Sequence, residues 1–453
     1  MASNVIVKEA TMVYPASETP NHTITLPSLD TILRLPYSHT LLLCVYDPPK
    51  IHPSKNMSFN VLQSSLSNIL VPYYPLAGRL TRNPKNNHLE ITCNAMGVLF
   101  VEAETINHAL DHFGEFTPSH ALREVAFPPP FDYTKGLSTF PLLVVQVTRF
   151  RCGGVTLGLM VHHSVQDGFA VAQFVNSWSR LVRGLDLEVW PCHNRVKYLG
   201  PRQPSQVKFR HFEYEPPVGL PDKSVPCSND TTICNLFKFS KFQISILKQN
   251  PSLKQLKQKP STYAIFAAHL WRCVTKARSL PYDQEVRLYI PVNGRSRLKE
   301  PSLPKGYFGN VLFRGVCIAK AGDIASQPLF CTTGIVQEAI ARMDNEYLRS
   351  AIDYLAVNPG LSSLNPSLTW IQQERSPNLS INSWFGIPFE EADFGLGEPT
   401  WVRLGGVGYE GQTLIMPSTN GDGSLSVSIN LSMAHMNIFK NYIYDFVEIL
   451  PSL

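Results

Sequence analysis

The clearest pattern along the chain is an apolar run that leads into two histidines and is followed by an amphipathic segment. Residues 155–161 are apolar and favour a β-strand. His162 and His163 follow directly, and Asp167 stands just before residues 169–178, where apolar side chains recur at helical spacing. The pattern predicts a strand that delivers both histidines to the turn before a helix. A histidine held there suits a general base, although a capped turn without a chemical role explains the same residues.

Strand-like runs and helical patterns alternate through the rest of the chain. Helices are predicted over about 58–70, 262–274, 325–356 and 436–449. Strands are predicted over about 88–93, 98–103, 142–148, 235–239 and 287–292. Both element types therefore occur in each half of the chain.

A chain of 453 residues is too long for one core and predicts two or three domains. Residues 191–226 carry many prolines without sustained periodicity, so we expect a long crossover linker there. The linker separates an N-terminal domain, residues 1–190, which carries the paired histidines, from a C-terminal domain, residues 227–453. A strand-like run at 425–431, followed by His435 and a helical pattern, repeats the strand-histidine-helix order, which hints that the two halves share one fold.

The composition argues against several classes of protein. Hydrophobic residues make up 44% of the chain and charged residues 17%, an ordinary globular balance. A net charge of +5 is slight for a nucleic-acid-binding protein of this size. The nine cysteines are dispersed without a C-x-x-C pair and indicate neither a disulfide framework nor a zinc site. Because the sequence has no apolar run of about 18 residues and no signal-peptide pattern, we expect a cytoplasmic monomer without a membrane partner.

Three short motifs carry weaker signals. Gly406–Gly411 fits the dinucleotide pattern G-x-G-x-x-G, but the residues after it favour a strand rather than the helix that such a site requires. His108 and His112 have zinc-like spacing without a third ligand nearby. Ser164 lacks the G-x-S-x-G context of a nucleophilic serine. We therefore expect no bound cofactor and no metal.

A histidine base without a nucleophile or a metal suits direct acyl transfer from a thioester to an alcohol or an amine. His163 would remove the proton of the attacking group, a contribution of about 10²–10⁴-fold, while a hydrogen-bond donor would hold the oxyanion. Asp167 would brace the local structure. Arg295, Arg297 and nearby lysines would meet the phosphate groups of coenzyme A.

Two signatures in the sequence resemble those of a known family. His163–Gly168 resembles the H-x-x-x-D-G signature of the plant acyl-CoA-dependent acyltransferases of the BAHD superfamily, and Asp393–Gly397 resembles its second signature, D-F-G-W-G. Five further blocks match in the family's order: Tyr73–Arg79, Ser261–Tyr263, Ala268–Arg272, Arg295–Arg297 and Tyr307–Asn310. The similarity covers nearly the whole chain, and seven blocks in order are far more specific than one.

The resemblance implies an α/β fold of two chloramphenicol-acetyltransferase-like domains with mixed β-sheets, and a channel between them with His163 midway. It implies two substrates, which are acyl-CoA as the co-substrate and a small molecule as the acceptor. Asp393 is implied to pair with Arg295 in a structural role. The residues implied to bind coenzyme A are Lys259, Ser261, Thr262 and Arg297.

Within the family, the sequence looks most like the hydroxycinnamoyl transferases, which use coumaroyl- or caffeoyl-CoA. That likeness implies that Trp384 helps to hold the oxyanion and that the amide of Asn382 is a second donor. Shikimate and quinate transferases carry an arginine, which clamps the acceptor's carboxylate, where Gly386 stands. We therefore expect a neutral alcohol, phenol or amine as acceptor. Leu396 replaces the signature tryptophan, and Asn293 stands where aspartate is usual.

Other functions remain open at the level of the sequence. An aliphatic or benzoyl donor would suit the same motifs. A condensation domain of a peptide synthetase shares the H-H-x-x-x-D-G stretch, although the D-F-G-x-G signature argues against it. A non-catalytic binding or regulatory protein on this scaffold is a third class, since a fold does not by itself give a function.

Overall fold

The computed structural model describes residues 5–32, 39–48, 58–215, 231–361, 377–406, 408–418 and 421–447. The chain divides into two compact units, each built from three segments. The first unit comprises Met1–Gly200, Pro301–Val311 and Gly386–Val407. The second unit comprises Pro201–Glu300, Leu312–Phe385 and Gly408–Leu453.

The strands of the described residues are numbered in chain order. They are β1 (Ile6–Val13), β2 (Thr23–Thr25), β3 (His39–Tyr46), β4 (Arg79–Arg82), β5 (Leu89–Thr92), β6 (Val98–Thr105), β7 (Leu143–Phe150), β8 (Val155–His162), β9 (Thr232–Phe239), β10 (Glu285–Asn293), β11 (Leu312–Lys320), β12 (Leu379–Ser383), β13 (Trp401–Leu404), β14 (Gln412–Pro417) and β15 (Leu425–Ser432).

The α-helices of the described residues are numbered in the same way. They are α1 (Ser28–Ile32), α2 (Phe59–Ile69), α3 (His120–Ala126), α4 (Gly168–Val182), α5 (Arg195–Leu199), α6 (Lys241–Lys248), α7 (Thr262–Arg278), α8 (Ala321–Ser326), α9 (Leu329–Arg342), α10 (Asn345–Val357) and α11 (Met433–Phe439).

The first unit is built on a six-stranded mixed sheet with the order β1-β6-β7-β8-β3-β13. β6 and β7 run parallel, and the other neighbours are antiparallel. All residues of β8 are buried. Burial of both faces explains why this strand shows a continuous apolar run rather than an alternating pattern. A three-stranded sheet, β2-β5-β4, belongs to the same unit.

Close packing fixes both β8 and the helix that follows it. A Cβ atom at Gly158 of β8 would lie 2.0 Å from the main-chain oxygen of Ala126, the last residue of α3. Only glycine permits so close an approach of two backbones. On the other side of the turn, Nε1–H of Trp178 in α4 donates to Oγ of Ser65 in α2 at 3.0 Å. The turn that carries the two histidines is therefore held by buried contacts at both ends.

The second unit has a six-stranded sheet with the order β11-β10-β12-β14-β15-β9. Its four strands β12-β14-β15-β9 pair parallel, antiparallel and antiparallel. The four strands β6-β7-β8-β3 of the first unit show the same sequence of pairings. A helix follows β15, as α4 follows β8. The strand-histidine-helix echo in the sequence thus reflects a shared sheet topology, although His435 lies inside α11 rather than at the strand end.

The two units are not the contiguous halves expected from the sequence. Residues 301–311 and 386–407 return to the first unit, because β13 pairs with β3 and the main chain of residue 310 binds α1. The expected linker, residues 191–226, contains α5, and its residues 216–226 lie outside the described part.

The last helix is also shorter than predicted. It ends at Phe439, because the main-chain N–H groups of Asn441 and Tyr442 bond three residues back and tighten the chain into turns.

Candidate active site

The predicted catalytic histidine is the first residue after the central strand of the first unit. β8 ends at His162, which is fully buried, and His163 beyond it is half-buried. Nδ1 of His162 accepts a hydrogen bond from the main-chain N–H of Ser164 at 3.3 Å, and its ring stacks on Phe140 with centroids 5.8 Å apart. The two adjacent histidines therefore have different surroundings, and His162 is part of the core.

Asn310 determines which nitrogen of His163 carries the proton. The Asn310 Nδ2 donates to Oδ1 of Asp30 at 2.7 Å and to the main-chain oxygen of His163 at 2.8 Å. Its other amide atom, Oδ1, lies 3.1 Å from Nδ1 of His163. An amide oxygen only accepts, so Nδ1 carries the proton in the neutral ring. Nε2 is thereby left as the basic nitrogen, and it has no hydrogen-bond partner among the described residues.

A buried ion pair lies behind Asn310. Oδ2 of Asp30 accepts from Nη1 of Arg195 at 2.9 Å, and both side chains are completely buried. Arg195 also donates through Nη2 to the main-chain oxygen of Val165 at 2.5 Å. Burial acts to lower the pKa of Arg195, but Asp30, Tyr307 and Asp167 together outweigh it, and the pKa lies above its ordinary value. The pair thus joins α1, α5 and the turn after β8 into one charged, hydrogen-bonded support for His163.

Asp167 braces the turn through hydrogen bonds to main-chain N–H groups. Its Oδ1 accepts from the main-chain N–H of Ala170 at 3.0 Å, which caps α4, and its Oδ2 accepts from the N–H of Val311 at 2.9 Å. The carboxylate therefore ties the returning segment next to Asn310 to the start of α4.

The D-F-G segment forms a tight turn in the first unit. Oδ1 of Asp393 accepts from the main-chain N–H groups of Gly395 and Gly397 at 2.7 and 2.9 Å, and both glycines have positive φ. Asp393 also pairs with Nη1 of Arg183 at 3.4 Å. Arg183 is therefore a partner of Asp393 within the first unit, and the pairing with Arg295 implied by the resemblance stays a prediction. The buried Phe394 ring meets Trp178 edge-on, with centroids 4.9 Å apart.

Leu396 and Asn293 depart from the family pattern, and the surroundings of each residue explain why the change is tolerated. Leu396 is partly exposed on the D-F-G turn, outside the buried packing of its neighbours. Oδ1 of Asn293 accepts from the main-chain N–H of Arg295 at 3.0 Å, a bond that aspartate would make equally well. Nη1 of Arg297 donates to the main-chain oxygens of Ile340 and Met343 at the end of α9.

The second unit carries the residues predicted to hold the oxyanion. Asn382 lies on β12, and its Oδ1 is buried without a partner among the described residues. Trp384 follows the strand, and its main-chain N–H donates to the oxygen of Ile415 at 2.9 Å. Gly386, in the first unit, has φ +75° with open space around its Cα. A side chain there would have room but would strain the backbone.

Three of the four residues predicted to bind coenzyme A, Lys259, Ser261 and Thr262, lie at the start of α7 in the second unit. Ser261 caps the helix, since its Oγ accepts from the N–H of Ala264 at 3.1 Å. Thr262 is the first helical residue, and Lys259 is exposed just before it. The N-terminus of a 17-residue helix offers unpaired N–H groups and a positive dipole end, which favour phosphate.

Asp30, Arg195 and Asn310 are the site residues that the sequence patterns did not single out. Asn310 was part of a recognised block without an assigned role, Asp30 lay in a segment with no motif, and Arg195 lay in the predicted linker. A signal existed for Asp30 alone: it is an acidic residue between the apolar residues Leu29 and Ile32 of α1, and a buried carboxylate requires a partner.

The fold and the strand-end histidine fit the class of acyltransferases with the chloramphenicol-acetyltransferase-like fold. The family model described as the Transferase family matches residues 3–446. The chain belongs to this family, the BAHD acyltransferases. The predicted fold class and enzyme class are both confirmed.

Curated relatives match along the full chain. Anthranilate N-benzoyltransferase protein 1 of Dianthus caryophyllus is 46% identical over 451 residues, which cover 98% of this chain and 100% of the relative. Shikimate O-hydroxycinnamoyltransferase of Nicotiana tabacum is 43% identical over 447 residues, 97% of this chain and 99% of the relative. Both relatives are acyltransferases by name, and they differ in acyl group and acceptor.

Solved structures show the same fold. Vinorine synthase matches with a TM-score of 0.71 at 21% identity, over 96% of each chain. The F. graminearum TRI101 protein, solved with coenzyme A and T-2 mycotoxin, matches with a TM-score of 0.74 at 16% identity, over 93% of this chain and 97% of its own.

The described residues contain neither a membrane-spanning helix nor a cluster of metal ligands. No helix among them is long and apolar enough to cross a bilayer. Nor do the described histidine, cysteine and acidic side chains form a group of three that could hold a metal ion. The G-x-G-x-x-G stretch is followed by β14 rather than by a helix, as the sequence predicted.

Proposed function

We propose that this protein transfers an aromatic acyl group, of the hydroxycinnamoyl or benzoyl type, from coenzyme A to the amine or hydroxyl group of a small aromatic acceptor. The observation that carries the proposal is the fixed tautomer of His163, whose Nε2 has no hydrogen-bond partner among the described residues while Nδ1–H is held by Asn310. The names of the relatives support aromatic acyl donors. The three relatives that are 45–46% identical are all named for transfer to nitrogen, which favours an amine acceptor.

His163 acts as the general base of a direct transfer. Its Nε2 takes a proton from the attacking amine or hydroxyl group as the new bond to the thioester carbonyl carbon forms. The tetrahedral intermediate then collapses, the C–S bond breaks, and the proton passes from Nε2 to the departing sulfur. Asn310 Oδ1 accepts a stronger hydrogen bond from Nδ1–H when the ring is positively charged, so it stabilises the imidazolium that forms in the transition state.

The negative charge on the carbonyl oxygen needs donors, and we assign Trp384 and Asn382 to this role. The indole N–H of Trp384 and the amide of Asn382 are of the right chemical kind, since both can donate to an oxyanion. Support comes from their place at the end of β12, a rigid element. Removing one such donor typically lowers kcat by about 10²–10³-fold.

We assign coenzyme A binding to Lys259, Ser261 and Thr262 at the start of α7, with Arg297 as a further cation. The helix end and the exposed lysine suit a phosphate group. Asp167, Asp393 and Arg295 are assigned structural roles. The hydrogen bonds of Asp167 and Asp393 to main-chain N–H groups support this assignment for the two aspartates.

The test is a matrix of acyl donors and acceptors with the purified protein. Coumaroyl-, caffeoyl-, benzoyl- and acetyl-CoA are each paired with aromatic amines and alcohols, and release of free thiol is followed. We expect turnover with at least one aromatic donor, and faster turnover than with acetyl-CoA. Acetyl transfer alone would contradict the aromatic donor, and coenzyme A binding without any turnover would favour a non-catalytic protein.

We also infer that the protein acts as a monomer in the cytoplasm, uses no bound cofactor and has neither a membrane nor a nucleic-acid partner. The dispersed cysteines and modest charge support this inference. Light scattering of the purified protein and imaging of a fluorescent fusion test the two parts separately. A dimer in solution, or fluorescence confined to an organelle, would contradict them.

A further inference from the structure

Arg314 is a buried cation with no acceptor among the described residues. It lies on β11 of the second unit and is 9% exposed. Its guanidinium donates no hydrogen bond and forms no ion pair with any described residue, and Nη1 is completely enclosed. Burial lowers the pKa of Arg314, and nearby tyrosines and a glutamate act against it. Because burying an unpaired charge is costly, the arrangement calls for an acceptor beyond the described residues, and a bound anion would be one.

Several other buried arginines each have at least one acceptor among the described residues. Those that donate to carboxylates or main-chain oxygens are Arg79, Arg195, Arg278, Arg287 and Arg403. Arg287 is the closest comparison, since it lies on β10, next to β11, and on the same face of the sheet. Nε of Arg287 donates to Glu285 at 2.8 Å, and Nη1 donates to the main-chain oxygens of Phe212 and Glu215. Arg287 thus has hydrogen-bond acceptors on this face of the sheet, whereas Arg314 has none among the described residues.

Glu213, whose carboxylate acts electrostatically on Arg314, already has its own partners. The Glu213 side chain is buried, with Oε1 2.8 Å from Nδ1 of His211 and Oε2 accepting from the hydroxyl of Tyr347 at 2.7 Å. Ser350 Oγ accepts the N–H of both Lys208 and Phe209, so its own proton goes to Nε2 of His211. Nδ1 of His211 is then the donor to Glu213. The glutamate belongs to this closed network and is not the missing partner of Arg314.

One aromatic ring lies beside the guanidinium, and other aromatic side chains lie close to it. Cζ of Arg314 lies 5.4 Å from the ring centroid of Tyr289, and Phe212 and Tyr409 pack against Tyr289. A planar cation beside aromatic faces is suited to an aromatic molecule that bears an anionic group.

The register of the sheet places Arg314 near the predicted oxyanion donor. Arg314 pairs with Pro291 on β10, and Tyr289 pairs with Ser380 on β12. Pro291 lies two residues after Tyr289 on β10, and Asn382 lies two residues after Ser380 on the parallel strand β12. Arg314, the partner of Pro291, therefore lies on the same face of the sheet as Asn382 and at a similar position along the strands. With neighbouring strands 4.7–4.9 Å apart, their main chains are about 10 Å apart. The side chain of an arginine and a small aromatic acceptor together span that separation.

We propose that Arg314 binds the carboxylate of the acceptor, so that the preferred acceptor is an aromatic amine that carries a carboxylate. The proposal rests on the proposed function and names its acceptor class. It replaces the neutral acceptor expected from Gly386, because the anion-binding arginine stands on β11 instead of at position 386. A guanidinium binds a carboxylate through two parallel N–H···O bonds, which gives affinity and fixes the orientation of the ring.

The direct test compares binding of anthranilate with binding of its uncharged amide, 2-aminobenzamide, by calorimetry. We expect the wild-type protein to bind anthranilate about 10- to 100-fold more tightly. Arg314→Met should abolish that preference and leave the amide unaffected, and Arg314→Lys should retain part of it. Equal binding of both probes by the wild type, or an equal loss for both in Arg314→Met, would overturn the proposal.

Two controls keep the result interpretable. Thermal unfolding shows whether Arg314→Met is folded. If it is not folded, Arg314→Lys is the variant that decides. A selective loss of anthranilate binding in Arg314→Lys supports the proposal, and an unchanged preference for anthranilate over the amide contradicts it. Acyl transfer to 2-aminobenzamide reports on the proposed function independently. If the wild type acylates neither probe, the aromatic-amine function fails, while the binding comparison still decides the role of Arg314.

Discussion

Asn310 is hydrogen-bonded to His163 at both ends of its amide, with Oδ1 3.1 Å from the ring Nδ1 and Nδ2 2.8 Å from the main-chain oxygen. Because Nδ2 also faces the carboxylate of Asp30, the amide has only one satisfactory orientation. The asparagine therefore fixes the tautomer of the base and holds the ring in place. It does for the imidazole what a buried aspartate does in a serine protease triad, but without placing a full charge beside it.

The first prediction concerns Asn310. Asn310→Ala removes the acceptor of Nδ1–H, so part of the His163 population adopts the tautomer with the proton on Nε2, which is inactive as a base. We expect kcat to fall by about 10²-fold and KM for the acyl-CoA to change little. In a His163→Ala background the same change should have almost no further effect on kcat. Independent, multiplying losses would show that Asn310 acts elsewhere than through the histidine.

The second prediction concerns the ion pair behind Asn310. Asp30→Asn leaves the guanidinium of Arg195 buried without a counter-charge, and we expect a loss of about 3–5 kcal/mol in the free energy of unfolding. Arg183→Gln is the matched control, because the pair of Arg183 with Asp393 is about 30% exposed on both sides and should contribute less than about 1 kcal/mol. Chemical denaturation of both variants measures the difference, and equal losses would contradict the assigned importance of burial.

The third prediction concerns the backbone contact beneath the site. Gly158→Ala would place its Cβ 2.0 Å from the oxygen of Ala126, so β8 or α3 must shift. We expect a loss of about 1–3 kcal/mol and a lower thermal midpoint, with reduced kcat because the shifted strand carries His163. Gly334→Ala in α9 is the control, since its Cβ has only an ordinary contact at 3.5 Å and alanine favours a helix. A midpoint no lower than that of the control would refute the close-packing account.

The fourth prediction concerns the dependence of stability on pH. Burial lowers the pKa of His269 from 6.5 to about 4, while its hydrogen bond to the main-chain oxygen of Ile443 acts against this. Between pH 6.5 and 4 the unfolded chain binds the proton and the native ring does not, so stability is complete above pH 6.5 and falls as the pH decreases. His39 and His193 show shifts of the same direction and size.

The measurement is the thermal midpoint of the wild type and of His269→Gln between pH 7.5 and 5. Each such histidine contributes a slope of at most about 1.4 kcal/mol per pH unit. We expect the midpoint of the wild type to fall more steeply with decreasing pH than that of the variant. Parallel curves would show that His269 is not buried in its neutral form.

The sequence was sufficient for the local geometry of the site and insufficient for its supports. The β8 run, the paired histidines and Asp167 are contiguous, so periodicity and capping chemistry predicted how they would be arranged. Asn310 contacts both His163 and Asp30, although it is separated from them along the chain by 147 and 280 residues. Contacts at such separations are set by the path of the chain through the fold, which no local pattern records.

The division into units was unpredictable for the same reason. β13 pairs with β3 although more than 350 residues separate them, and its own sequence carries no sign of which sheet it joins. The pairing of Asp393 likewise depended on the path of the chain: Arg183 at the end of α4 lies beside the D-F-G turn because residues 386–407 return to the first unit.

The central claim is that Nε2 of His163 removes the acceptor's proton. The measurement that tests it most directly is kcat of His163→Ala on the best donor and acceptor pair, followed by thiol release, with Asn382→Ala measured in parallel. We predict that the His163 variant loses at least about 10²-fold in kcat, retains its thermal midpoint and binds coenzyme A normally. Turnover at the wild-type rate by a folded His163→Ala protein would contradict the account.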